Sequence, residues 1–150
     1  MRRPENGHFT VRRVGTLMQG LFCSEGYAAV HGVPTEPAGL KQHNLIGWTE
    51  EMAYMPLAQW LDQVSGEQKL WMRVSNLNAQ LKAVEAHLGI AALPAYVGHQ
   101  SGLRQVLADR PSHRSDIWLL RNPATQGVGR VDRVVDYLTG LFHSKTAEMQ

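Results

Sequence analysis

Seven histidines, a single cysteine and an adjacent pair of glutamates are the residues of this 150-residue sequence best equipped for chemistry. Metal binding on a helix needs ligands three to five residues apart, and no two of His8, His31, His43, His87, His99, His113 and His143 have that spacing. One cysteine cannot complete a thiolate cluster, so no metal site is expected and the histidines read as scattered surface residues. Cys23 stands near the end of a predicted strand, as a nucleophile would. No histidine is next to it in sequence and no known signature surrounds it, so it reads as a small buried residue. Glu50 and Glu51 follow an apolar segment and have the types needed for an acid and a base, but a solvated loop accounts for them better. There is no Gly-x-Ser-x-Gly elbow. Gly127-Val128-Gly129 has Asp132 where a dinucleotide fingerprint needs its third glycine, and reads as a loop and helix start. These patterns predict no enzyme and no cofactor.

The composition sets the frame for what remains. With 43% hydrophobic residues the chain is long enough for one ordinary domain with a core, which excludes wholesale disorder. Fifteen basic against thirteen acidic residues is too even a balance for an electrostatic nucleic-acid footprint. The start, Met1 to His8, is charged and turn-rich and lacks a signal-peptide core; no window approaches the length of apolar chain that crosses a bilayer. The expected compartment is therefore the cytosol, with no membrane partner.

The elements follow from periodicity and punctuation. Short strands are predicted at Phe9–Val14 and Gly20–Cys23, then a helix capped by Ser24 and stopped by Gly32 and Pro34. A helical turn at Pro37–Gln42, a buried strand at Leu45–Trp48 and a helix from Pro56 to Val64 come next. Leu70–Val74 reads as a strand, Ser75 or Asn76 as a cap, and the stretch to Leu88 as a helix whose stripe is Leu77, Leu81, Val84 and Leu88. Burying those four side chains would be worth roughly 6 to 12 kcal/mol, at about 1.5 to 3 each. Gly89 ends the helix and Ile90–Pro94 enters another strand, which makes Leu70–Pro94 one βαβ unit. Weaker strands are predicted at Leu103–Leu107 and Ile117–Leu120, with a polar run from Ala108 to Asp116 between them. A final helix should bury Val131, Val134, Val135, Leu138, Leu141 and Phe142 on one face, leaving Ser144–Gln150 as a frayed tail. Of Trp48, Trp60, Trp71 and Trp118, most are expected in the core, with Trp48 the candidate for a pocket wall.

Five stretches in order carry a family resemblance: Leu21–Tyr27 with His31-Gly32, Pro37–Leu40 with His43–Trp48, Val74-Ser75-Asn76, Ala83–Pro94, and Ile117–Leu120 before the last helix. Together they resemble the C-terminal sensing domain of LysR-type transcriptional regulators, a two-lobed α/β fold similar to type II periplasmic binding proteins. The match runs nearly end to end, Ala83–Pro94 being its most specific block. Such regulators begin with a winged helix-turn-helix, a linker helix and the opening of the first lobe, for which no counterpart is found here. The resemblance thus implies a complete second lobe at residues 21–120, a remnant of the first lobe at 1–20, and a return segment with the first lobe's C-terminal helix at 121–150.

The same resemblance implies the function. A small-molecule effector, often an organic anion, would bind between the lobes and shift an oligomer that regulates transcription, DNA being reached only through a domain absent from these residues. Hinge segments are expected at Phe22, Cys23 and Ser24 and at Leu120, Arg121 and Asn122. The second lobe would meet the effector with strand ends and helix N-termini, whose amides suit a carboxylate. That selects Trp48, Thr49 and Glu50, and Ser75, Asn76 and Leu77. The partner is a second copy in a homo-oligomer or an intact regulator in a hetero-dimer. The competing reading is a truncated interaction protein that pairs with an intact regulator and modulates it.

Overall fold

Ile90-Ala91-Ala92-Leu93 is an apolar run with no polar face, which suits a strand covered on both sides, and all four residues are fully buried. In the structure, a computed structural model that describes residues 9–66, 68–110 and 112–145, this segment is the middle strand of a mixed sheet. The chain divides into two compact units, one of Gln19–His113 and one joining the residues up to Met18 with those from Arg114. Two strands pass between them: β1 (Thr10–Cys23) and β6 (His113–Arg121), which pair with each other.

The Gln19–His113 unit contains β2 (Leu45–Trp48), β3 (Met72–Val74), β4 (Ile90–Pro94) and β5 (Arg104–Val106), in the order β3-β2-β4-β1-β5. β2 runs parallel to both β3 and β4, whereas β1 is antiparallel to β4 and β5. The helices are α1 (Glu25–His31), α2 (Pro56–Ser65), α3 (Leu77–Glu85) and α4 (Ala95–Gln100), with a 3-10 turn at Pro37–Gln42. The βαβ unit is therefore present, with β2 between its two strands. Pro56 opens α2 and Gly66 closes it in the left-handed conformation, as expected for proline at the first turn and glycine just past the last. Ser24 caps α1 by accepting the Tyr27 amide proton at 3.2 Å, and its Oγ lies 2.7 Å from His87 Nδ1.

Several expected elements are corrected. The two N-terminal strands are one strand of 14 residues, because the polar Thr16 and Gln19 are inward positions of β1. Thr16 Oγ1 is reached by Arg13 Nη2 at 2.5 Å. β3 starts at Met72, and Trp71 is 55% exposed instead of belonging to the core. α3 stops at Glu85, since His87 adopts a left-handed φ of 62° and takes Leu88 out of the helix. Its fully covered side chains are Gln80, Ala83 and Val84, while Leu77, Leu81 and Leu88 are half-buried. Only Val84 of the expected stripe gains full burial, so the sum for four leucine-sized residues overstates the docking energy. β6 begins at His113, within the polar run expected to be loop.

The second unit joins the first half of β1, β6 and α5 (Gly129–Ser144). Arg13 Nε pairs with Asp116 Oδ1 at 2.6 Å between the two strands, and Arg121 Nη2 joins the end of β6 to the first turn of α5 through Asp132 Oδ1 at 2.5 Å. The single apolar face expected for α5 is two adjacent strips. Val131, Val135, Leu138 and Phe142 are half-buried, whereas Val134 and Leu141 are exposed with Tyr137. The two sets are one residue out of phase, about 100° around the helix. The expectations for Met1–His8 and for the end of the Ser144–Gln150 tail lie outside the described residues.

One pH dependence follows from the packing. Tyr27 Oη accepts the Asn44 amide proton at 3.0 Å and lies 3.2 Å from His43 Nδ1. Burial, reinforced by the charge of His31, holds His43 below its ordinary 6.5, and burial does the same for His113. The unfolded chain then binds protons more readily in this range. The stability these groups contribute is complete above pH 6.5 and is lost as pH falls through their lower folded values. Urea midpoints at about pH 7.5 and about pH 5.5 should show the decline, and His43→Gln should reduce it.

Candidate functional site

The expected effector residues come from two segments that end side by side. Trp48 pairs with Val74 in the parallel β2–β3 register, and the next amide, that of Thr49, donates to Val74 O at 3.1 Å. This last bond sets the turn after β2 beside the start of α3. Thr49 is half-buried, opens a 3-10 turn at Glu50–Met52 and donates from Oγ1 to Glu51 Oε2 at 3.3 Å. Glu50 and Glu51 are both exposed, as a solvated loop requires.

Asn76 is the cap of α3, with Oδ1 accepting the Ala79 amide proton at 2.9 Å. The first turn of a helix carries amides without intrahelical partners and a partial positive charge. Ser75 is exposed at the same end, and Leu77 turns toward the core. Sequence reasoning missed Arg73, an exposed cation in β3 whose Nη1 donates to Trp48 O at 3.2 Å. A charged residue directly before the expected strand end was the available signal. The site thus combines a cation, a helix N-terminus, two hydroxyls and two carboxylates.

Trp48 is 6% exposed and packs in the core. Elsewhere in the same unit is a cavity of about 430 Å³ lined by Trp60 and residues of β1 and β5, but by none of the six expected site residues. The hinge candidates are well anchored: Phe22 pairs with Ala91 on one side and Gln105 on the other, and Cys23 pairs with Arg104. Ser24 caps α1, Leu120 and Arg121 end β6, and Asn122 caps a 3-10 turn at Pro123–Thr125. Cys23 is fully buried, and that burial pushes its thiol up to about 11, so it is a poor source of thiolate. Among the described residues no group of three or more histidine, cysteine or carboxylate side chains is placed to hold a metal ion, and no helix is long and apolar enough to cross a membrane.

The family model for the LysR substrate binding domain matches residues 1–142. The chain belongs to this family. Its fold is the periplasmic-binding-protein-like fold of LysR regulatory domains, and its family is one of transcriptional regulators, not enzymes. A curated relative, the probable HTH-type transcriptional regulator LtrA of Klebsiella pneumoniae, is 30% identical over 131 residues, covering 79% of this chain and 41% of that protein. The regulatory domain of CrgA, a LysR-type transcriptional regulator from Neisseria meningitidis, matches with a TM-score of 0.73 at 16% identity, over 94% of this chain and 72% of that one. Full-length AphB, the Vibrio cholerae virulence activator, matches with a TM-score of 0.72 at 25% identity, over 94% of this chain and 50% of that one. The chain therefore spans about half the length of the full-length relatives it matches.

Proposed function

We propose that this LysR effector domain senses a small organic anion that also carries a hydrogen-bond donor, using Thr49, Glu50, Arg73, Ser75 and Asn76. The observation that carries the reading is the Thr49 amide bond to Val74 O, which brings the β2 turn and the capped start of α3 together. Arg73 and the α3 amides suit the anionic group. Glu50 and Glu51 would repel a ligand made only of acceptors, so the ligand offers them an N–H or O–H.

The two compact units represent the complete second lobe and a part of the first, in an oligomeric regulator whose DNA reader is a helix-turn-helix outside these 150 residues. The chain passes between the units within β1, at Met18–Gln19, and within β6, at His113–Arg114, and the expected hinge segments Phe22–Ser24 and Leu120–Asn122 lie a few residues further on, at the C-terminal ends of those strands. Ligand control requires unequal binding to two arrangements; a shift from 1:99 to 99:1 takes about 5.5 kcal/mol of differential affinity.

The test is a reporter response in a complete regulator carrying this domain, titrated with a panel of small amino and hydroxy acids. Thr49→Ala and Asn76→Ala should each raise the half-maximal concentration about tenfold while the circular dichroism stays unchanged, the loss expected for a hydrogen bond to a charged group. Dose-response curves that do not move would reject these residues as ligand contacts.

A further inference from the structure

We infer that the Gln19–His113 unit carries a second small-molecule site, the cavity between α2, β1 and β5, and that it takes a one-ring carboxylate. Its volume of about 430 Å³ lies within the range of small-ligand pockets, roughly 300–1,000 Å³. Trp60 and Val64 of α2 supply a flat apolar wall, and the Trp60 indole is itself held beside the His113 ring, centroids 5.9 Å apart.

Besides Gln63 and Ser112, which can both donate and accept, the cavity has a donor held in place. Gln105 Oε1 is occupied by His99 Nε2 at 3.2 Å, which leaves the Gln105 amide nitrogen to donate. That nitrogen lies over Gly20, 2.9 Å from where a Cβ would stand, so the bare glycine lets the carboxamide lie across β1. Arg110 adds the cation. Its contact with Asp109 is a 3.7 Å pair between exposed neighbours, weak enough for a ligand to replace. Among the described residues no carboxylate lines the cavity.

Leu107, in the cavity wall, holds a left-handed φ of 55°, a conformation that is unfavourable for leucine. Strained backbone of this kind concentrates at ligand clamps and switches. None of the residues proposed for the strand-end site lines this cavity, so the two sites stand or fall separately.

Calorimetric titration of the full chain with phenylacetate, benzoate and cyclohexanecarboxylate, each beside its own amide, tests the assignment. At least one acid should bind saturably, with its amide about tenfold weaker, as expected when a charge-assisted bond is lost. Arg110→Gln, at an exposed position, should weaken the acid about tenfold and leave the amide unchanged. Gln63→Trp, at an exposed lining residue of α2, should abolish both. Thr49→Ala should change neither. Absence of saturable binding by all three acids at millimolar concentration, or binding that survives both cavity variants, overturns the proposal; loss of binding on Thr49→Ala would assign the acid to the strand-end site instead.

Discussion

Replacing Gly89 with alanine is expected to destabilise the chain by about 2 to 4 kcal/mol, the sum of an overpacked contact and a broken hydrogen bond. A Cβ at this position would lie 2.3 Å from the carbonyl oxygen of Asn44 and 3.1 Å from its carbon. The obstacle is backbone, which cannot swing aside as the end of a side chain would. That oxygen accepts the Ile90 amide proton at 2.9 Å, immediately before the Leu45–Ile90 register begins. Asn44 is also tied by its amide to Tyr27 Oη and by its side chain to Leu88 O. Moving it would disturb β2, β4 and the base of α1 together. Against a total stability of about 5 to 15 kcal/mol for an ordinary domain this is a large loss. Urea unfolding should show a lower midpoint with an unchanged slope. A change within about 0.5 kcal/mol would mean that the Asn44 segment can retreat at little cost.

Gly89 also shows what the sequence could and could not convey. Its place after an amphipathic run and before Ile90–Leu93 marks the approach to a strand, and β4 follows with the expected bounds. The starts of α1, α2 and α3 were legible for the same reason, since Ser24, Pro56 and Asn76 have the local chemistry of a helix opening, whereas α4, which follows Pro94 without a side-chain cap, was not expected. The end of α3 was not. His87 has the left-handed φ that usually belongs to glycine, and its ring contact with Ser24, 63 positions away, has no local signature. The continuity of β1 was hidden similarly, because Thr16 and Gln19 are buried at positions where an alternating pattern would show apolar residues. The split of the α5 face into a half-buried and an exposed strip is set by tertiary packing, which no helical period contains.

The strand-end site was partly legible through general rules of α/β folds. Strand C-termini and capped helix starts can be read along a chain, and Thr49 and Asn76 are placed together by the β2–β3 pairing. Arg73 escaped notice because a cation inside a three-residue strand looks like an ordinary exposed position until its guanidinium is seen over Trp48 O. The cavity had no sequence signal at all. Trp60 reads as a core residue of α2, and only the crossing of α2 with β1 and β5 gathers it with Gln105 and Arg110.

Gln80→Leu is expected to stabilise the chain by about 1 to 3 kcal/mol, reversing the usual sign of a core substitution. Gln80 is fully buried on the face of α3 that meets the sheet, and neither its Nε2 nor its Oε1 has a hydrogen-bond partner among the described residues. A carboxamide in that position has left water without regaining its hydrogen bonds, so the folded state bears the desolvation cost. Leucine has similar bulk and no polar atoms, and Ala83 and Val84 already make this face of α3 apolar. The effect should appear as a higher urea midpoint at an unchanged slope, and Gln80→Met should raise it in the same direction with less demand on shape. Destabilisation by both variants would show that the carboxamide is satisfied by a buried water, and that α3 is docked by a polar contact as well as by Val84.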